Sequence, residues 1–152
     1  MKNLLALDVA SHTGWCNSES HGCWDFTVKK SKKNPQHPYS KLYNFKTTIE
    51  KYLDEHPEVD IIASERVSGL FKNAIISLSE QLGIIKLICF ERKLEHVEYV
   101  STELKKWQTG KGNAKKFEMV KSVQDKYGWE GTDDNIADAI VIYHYHIYKC
   151  NK

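Results

Sequence analysis

Short apolar runs alternate along the chain with longer segments in which apolar residues recur every three or four positions. The runs at about 3–9 and 59–65 have the length of strands, and their last polar positions are the acids Asp8 and Glu65. Between them, "GWCNSES" and "CWDFTV" predict a hairpin with its turn near His21-Gly22. A further apolar run, "HVEYVS", predicts one more short strand.

The longer segments predict helices. "YSKLYNFKTTIEKYLDEH" places its apolar residues on one helical face, and Pro57 ends it. The helix at 71–92 is apolar on more than one side, so we expect a second side to be buried by a neighbouring helix or a partner. Three helices follow, in "TELKKWQ", "AKKFEMVKSVQDKYG" and "TDDNIADAIVIYHYHIYK", the last with Thr132 or Asp133 as its N-cap.

This order of strands and helices predicts an α/β domain, a mixed β-sheet flanked by α-helices, formed by residues 1–152 as one unit. The chain has 152 residues, of which 41% are hydrophobic, enough for a substantial core. No uninterrupted apolar run reaches a membrane span, and no signal peptide is evident, so we expect a cytoplasmic protein without membrane contact. The four cysteines form no CxxC pair and favour free thiols over a zinc site.

The net charge is only +2, but the charges are unevenly distributed. Acids cluster at 54–65 and 130–138, whereas residues 26–49 hold no acid and residues 104–121 hold only Glu118. An acidic centre between two basic segments suits a polyanion held against a metal site; two solvated lysine-rich faces are the alternative. The lysines of the two segments are Lys29, Lys30, Lys32, Lys33, Lys41 and Lys46, and Lys105, Lys106, Lys111, Lys115, Lys116 and Lys121.

The acids are placed where they can converge. If the first two apolar strands are parallel neighbours, Asp8 and Glu65 lie at the same edge of the sheet, where open α/β sheets place their sites. In the last helix Asp134 and Asp138 are four residues apart and share a face. Asp133 points elsewhere unless it lies outside the regular helix as its cap.

Such a carboxylate cluster is chemically suited to magnesium. Several carboxylates at one point repel each other unless cations neutralise them, and Mg²⁺ prefers oxygen ligands. Two such ions can activate a water and stabilise the leaving oxygen of a phosphodiester. Taken singly, each acid has a structural alternative, since Asp8 can begin a turn and Asp134 can favour the helix dipole.

The order of these acids is that of ribonuclease-H-like nucleases, and four local sequences resemble RuvC-type Holliday junction resolvases, especially the compact phage type. "LALDVASHTGW" is similar to the family's first strand, and "IIASERVSGLFKNA" to its second acidic strand. "TGKGNAKK" is similar to its basic, glycine-containing stretch and "DDNIADAI" to its last helix. Together they extend over nearly the whole chain.

The resemblance implies a DNA endonuclease that resolves four-way junctions and uses two Mg²⁺ ions, for which Mn²⁺ can substitute. The near two-fold symmetry of a junction suits a homodimer, and the apolar helix at 71–92, with Gly83 permitting close approach, is the candidate dimer face. The resemblance also implies that Lys116 acts at the scissile phosphate and that Phe71 stacks on bases near the crossover. Alternatively, Phe71 is the first core residue of the helix at 71–92. The implied metal ligands are Asp8, Glu65, Asp134 and Asp138, and the implied DNA-binding residues are Lys105, Lys106, Lys111, Lys115, Lys116 and Phe71.

Two positions depart from the family pattern. Val9-Ala10 stands where the family commonly has Pro-Gly, and Asn135 stands three residues before Asp138, where the bacterial enzymes have an acid. The fourth carboxylate is therefore either Asp134, which we favour, or Asp133. Other functions remain open: a nuclease for flap or other branched DNA, a non-catalytic DNA-binding relative, or, far less compatible with the chain length, an actin-like kinase.

Overall fold

The computed structural model describes residues 2–29, 31–33 and 35–152, so Lys30 of the first basic segment lies outside the described residues. Strands come first and helices dominate the second half, as the sequence pattern predicts. The strands are β1 (Asn3–Asp8), β2 (His12–Cys16), β3 (His21–Asp25), β4 (Val59–Glu65) and β5 (Glu95–Tyr99). The helices are α1 (Ser40–Glu55), α2 (Lys72–Arg92), α3 (Ser101–Thr109), α4 (Lys116–Tyr127) and α5 (Asp134–Cys150).

The described strands form one sheet in the order β3-β2-β1-β4-β5. β1 is parallel to β4 and antiparallel to β2, and β4 is parallel to β5. The sheet is therefore mixed, with helices on both sides, and the expected fold class is confirmed.

β1 lies at the centre of the sheet and is buried on both faces. Leu5 and Leu7 point into a core formed with α1 and α2, whereas Leu4 and Ala6 point into a core formed with α3, α4 and α5. A strand covered on both faces has no solvent-facing side, which explains its continuous apolar run. The sheet therefore separates two helical layers, with β1 between them.

The β2–β3 turn lies at residues 17–20, so the expectation of a turn near His21-Gly22 is wrong. The Asn17 side-chain oxygen accepts hydrogen bonds from the backbone N–H groups of Glu19 and Ser20, at 2.8 and 2.7 Å. An asparagine that closes its own turn competes with glycine as a turn signal. Gly22 instead lies within β3, where a Cβ atom would be 2.8 Å from the Trp15 indole.

α2 is long and apolar enough, by length and composition alone, to cross a membrane, with a mean hydropathy of 1.4. The expectation that no segment is long enough to span a membrane considered only uninterrupted apolar runs. It did not include α2, because charged residues interrupt this helix. One side of α2 packs into the core through Leu82, Ile85 and Ile88, yet only 28% of the apolar window is buried. The other side of α2 is largely exposed.

The first turn of α5 lies directly against the sheet at Gly14, which pairs with Asp8 across β1 and β2. A Cβ atom on Gly14 would lie 1.9 Å from the carbonyl oxygen of Asn135. Any larger residue would push α5 away from β1. Gly14 therefore sets the approach of the helix that carries Asp134 and Asp138.

We predict that Gly14→Ala destabilises the fold by about 3 kcal/mol, because the added methyl group meets helix backbone that cannot rotate away. Urea unfolding measures this change.

Gly112→Ala is the matched control, since its Cβ would make only an ordinary 3.5 Å contact with Thr102. The control should change the unfolding free energy by about 0.5 kcal/mol or less. Equal effects of the two substitutions would show that α5 does not depend on this close approach.

Candidate active site

Four carboxylates line one cavity of about 280 Å³ at the sheet edge. Leu7 pairs with Ser64, so the next residues, Asp8 and Glu65, reach this edge side by side. α5 passes over the same edge and adds two acids that are four residues apart. The structure thus brings together the acids selected from the sequence, and their catalytic role remains a prediction. They are Asp8, Glu65, Asp134 and Asp138.

The carboxylates are strained electrostatically. Burial raises the pKa of Asp8 well above its ordinary value, and the charge of Asp138 raises it further. Burial, together with the charge of Glu65, raises the pKa of Asp138 to about 7. Burial also raises the pKa of Glu65, although a hydrogen bond from Ser101 and the charge of Lys105 oppose that shift. The cluster therefore favours either protons or added cations.

Lys116 forms an ion pair with one acid of this cluster. Its ammonium lies 3.1 Å from the Asp134 carboxylate, while the rest of its side chain remains exposed. The bond to Asp134 raises the pKa of Lys116 and keeps the ammonium charged. Lys105 and Lys116, which both line the cavity, cannot balance four carboxylates, so the site retains a net negative charge when the acids are ionised.

The structure distinguishes the two candidates for the fourth carboxylate. Asp133 is the N-cap of α5: its side chain accepts hydrogen bonds from the backbone N–H groups of Asn135 and Ile136, at 2.8 and 3.0 Å. Asp134 lines the cavity, as does Asn135. Asp134 therefore lies with the other acids of the cavity, whereas Asp133 caps α5.

The predicted DNA-binding lysines divide into two groups. Lys105 and Lys116 line the cavity, whereas Lys106, Lys111 and Lys115 lie outside it on exposed surface. Lys111 is also paired with Glu118 at 3.2 Å. Only the first group is placed to contact a phosphate within the cavity.

Phe71 lies just before α2 and is 76% exposed. The alternative that it is the first core residue of that helix is therefore wrong. An exposed aromatic ring at this position is available for stacking.

Sequence reasoning missed the residues that shape the turn after Asp8. The Thr13 hydroxyl donates to the carbonyl of Ala10 at 2.7 Å, and the buried Gln81 amide donates to the same carbonyl at 3.0 Å. These bonds hold a turn that has Val9-Ala10 in place of Pro-Gly. A lone glutamine among the apolar residues of α2 was the available signal.

The donor set fits a hard divalent cation. Within the described residues, no three His, Cys, Asp or Glu side chains are grouped tightly enough to hold a metal ion as they stand. Mg²⁺, however, usually takes one or two carboxylates and completes its shell with waters and phosphate oxygens. Burial and the neighbouring acids raise the pKa values of Asp8 and Asp138, and bound cations would favour their ionised forms.

Comparisons with known proteins agree on one family and fold. The model of the family described as crossover junction endodeoxyribonuclease RuvC matches residues 16–146. The structure of Thermus thermophilus RuvC is similar, with a TM-score of 0.71 and 18% identity over 98% of this chain and 95% of that one.

Two further structures are similar. T. thermophilus RuvC in complex with a Holliday junction substrate gives a TM-score of 0.73 at 18% identity, over 99% of this chain and 95% of that one. The yeast mitochondrial Holliday junction resolvase Ydc2 gives 0.64 at 14% identity, over 93% and 75%.

The family match includes Glu65, Lys116 and Asp138 but begins after β1. The selection of Asp8 therefore rests on the register of β1 and β4 and on the cavity that it shares with these residues.

We predict that the metal-free protein loses stability as the pH rises from about 4 through about 7. A carboxyl with a raised folded-state pKa binds its proton more tightly when folded, so this stabilisation is lost on ionisation. The melting temperature in EDTA should be several degrees lower at pH 8 than at pH 5. Mg²⁺ should raise the melting temperature more at pH 8.

Asp138→Asn should flatten this pH dependence, whereas Glu80→Gln, an exposed acid on α2, should leave it unchanged. A parental pH profile in Asp138→Asn would show that Asp138 is not under electrostatic strain.

Proposed function

The chain belongs to the RuvC family of crossover junction endodeoxyribonucleases, and on this premise we propose that it is a Mg²⁺-dependent endonuclease that resolves four-way DNA junctions. It acts in the cytoplasm of a bacterial host, and the resemblance of its local sequences to the phage type is the argument for a phage origin. The observation that carries the proposal is the cavity in which four carboxylates meet beside Lys105 and Lys116.

The cavity supports metal-assisted phosphodiester hydrolysis. RuvC-family nucleases depend on divalent metal ions, and the ligands proposed here are Asp8, Glu65, Asp134 and Asp138. Two Mg²⁺ ions, or Mn²⁺ in their place, would supply an activated water and neutralise charge on the phosphate. No cysteine or histidine nucleophile is required for this chemistry.

The protein's own residues position the substrate and stabilise the negative charge that develops on the phosphate. β1 and β4 hold Asp8 and Glu65 at fixed places, so the carboxylates need little reorganisation during the reaction. The exposed ammonium of Lys116 can leave Asp134 and bind a non-bridging phosphate oxygen as negative charge develops there. Lys105 approaches the same phosphate from α3.

Binding outside the cavity rests on the exposed basic surface. Lys106, Lys111 and Lys115 follow the phosphate backbone as it leaves the cavity, and such contacts position DNA without reading its sequence. Phe71 supplies a ring for stacking on an unpaired base near the crossover, worth about 1–3 kcal/mol. The solved complex of T. thermophilus RuvC with a junction supports branched DNA as the substrate.

We also propose that the protein is a homodimer. The outward side of α2 exposes Ile76, Leu87 and Phe90, the last by 83%, and Gly83 has open space above it. An apolar helix face left exposed by the described residues of its own chain suits a self-complementary contact around a two-fold axis. Two active sites related in this way would match the near two-fold symmetry of a four-way junction.

We predict that Asp8→Asn lowers junction cleavage to the background rate while binding stays equal to or tighter than that of the parent protein. The substitution removes a metal-binding charge but no phosphate-binding lysine. Glu65→Gln and Asp138→Asn should behave alike. Cleavage of a labelled synthetic four-way junction in Mg²⁺, with binding measured in EDTA, separates the two effects.

The neighbouring acids of α5 provide the matched pair. Asp134→Asn should reduce cleavage by about 100-fold or more, whereas Asp133→Asn retains a capping oxygen and should remain near the parental rate. Parental cleavage by Asp8→Asn would refute the assigned site, and a stronger loss in Asp133→Asn than in Asp134→Asn would exchange their roles.

We predict that light scattering gives twice the 17.6 kDa chain mass at micromolar concentration without DNA. The double substitution Leu87→Lys, Phe90→Ser should give the mass of one chain, because it places a charge and a polar group in the apolar contact.

Phe117→Ser is the control, since it removes a comparably exposed aromatic ring (67%) from α4 instead of α2. A single-chain mass for the parent protein, or a two-chain mass for the double variant, would contradict the proposed contact.

A further inference from the structure

Lys41 is held beside the turn that follows Asp8. The residue lies in the first turn of α1, and its ammonium donates hydrogen bonds to the hydroxyl oxygens of Ser11, at 2.8 Å, and Ser77, at 3.0 Å. Ser11 belongs to the turn after Asp8, and Ser77 belongs to α2. One cation thus connects two helices with the turn that carries an active-site acid.

The partners of Lys41 do not neutralise it. Within the described parts of the chain, no carboxylate lies within ion-pair distance of its ammonium, whereas Lys46, one turn further along α1, is paired with Glu50. Hydroxyl oxygens position a lysine but leave its charge in place. Each serine also keeps its own O–H as a donor, since it accepts from Lys41 through oxygen.

Hydrogen bonds to the backbone hold the turn that contains Ser11. The Ala10 carbonyl, next to Ser11, accepts from Thr13 and from the buried Gln81, at 2.7 and 3.0 Å. The backbone oxygen of Ser11 accepts from Phe26 N–H at 2.7 Å. A charge with so little freedom loses little entropy when it binds an anion.

Lys41 and Lys116 belong to helices on opposite faces of the sheet. α1 packs with α2 on one face, and α4 packs with α5 on the other. Asp8 ends the strand between these layers. A DNA strand that crosses the sheet edge over Asp8 would therefore meet Lys116 on one side and Lys41 on the other.

The surroundings of Lys41 suit nucleic acid. Residues 26–49 contain no acid, and Lys32 and Lys33 are exposed in this segment. Tyr39 and Tyr43, at the start of α1, are 65% and 67% exposed. Exposed aromatic rings interleaved with lysines are typical of surfaces that bind a DNA strand.

We propose that Lys41, Ser11 and Ser77 form a binding site for one backbone phosphate of the cleaved DNA strand, on the side of Asp8 remote from Lys116. The inference rests on the proposed function, because it needs DNA in the cavity. The ammonium binds one phosphate oxygen, and the serine hydroxyls donate to the others. The site fixes the path of the strand without taking part in the chemistry.

The test is equilibrium binding of a labelled four-way junction in EDTA, over a range of salt concentrations. Lys41→Met keeps the length and apolar stem of the side chain but removes its charge. Its slope of log affinity against log salt should be smaller than the parental slope by about 0.9, the value for one lost phosphate contact. Lys41→Arg should restore the slope, and Lys51→Met, at an exposed lysine on the same helix, should retain it.

Junctions that carry a single neutral methylphosphonate locate the contact. At one position near the scissile bond, the substitution should weaken the parent protein about 3- to 10-fold and leave Lys41→Met unaffected. A parental salt slope in Lys41→Met, even with a lowered melting temperature, would overturn the proposal and leave Lys41 a structural connection. Failure of the parent protein to bind any junction would instead overturn the proposed function.

Discussion

Mutual repulsion of carboxylates at one sheet edge is the constraint on which the rest of the structure depends. Asp8 and Glu65 are forced together by the parallel register of β1 and β4, and α5 adds two more acids. Such an arrangement has a free-energy cost in the absence of cations, as the raised pKa of Asp8 indicates. The central strands, buried on both faces, provide the packing energy that holds it in place.

Much of this arrangement could be predicted because it follows from periodicity. Strands that end in an acid and lie parallel must deliver their acids to the same edge, so Asp8 and Glu65 were identifiable. The choice between Asp133 and Asp134 was not, because both can cap a helix. Only the backbone conformation shows that Asp133 accepts the N-terminal hydrogen bonds and leaves Asp134 for the cavity.

The features that escaped prediction depend on contacts between distant segments. In the sequence Gly14 looks like an ordinary turn glycine, but in the structure it lets the backbone of Asn135 approach the sheet. Gln81 and Lys41 are far from Asp8 in sequence, and their contacts with residues 10 and 11 arise only when α1 and α2 pack together. The hairpin turn was misplaced for a local reason, since Asn17 closes it with its own side chain.

α2 connects the proposed assembly to the proposed chemistry. Its inward side supplies Ser77 and Gln81 to the turn after Asp8, and its outward side carries the apolar surface assigned to a second copy. Because α2 is one continuous helix of 21 residues, its inward and outward sides keep a fixed position relative to each other. Pairing through α2 would therefore fix the placement of each Asp8 relative to the two-fold axis, and hence the separation of the two cuts on a symmetric junction.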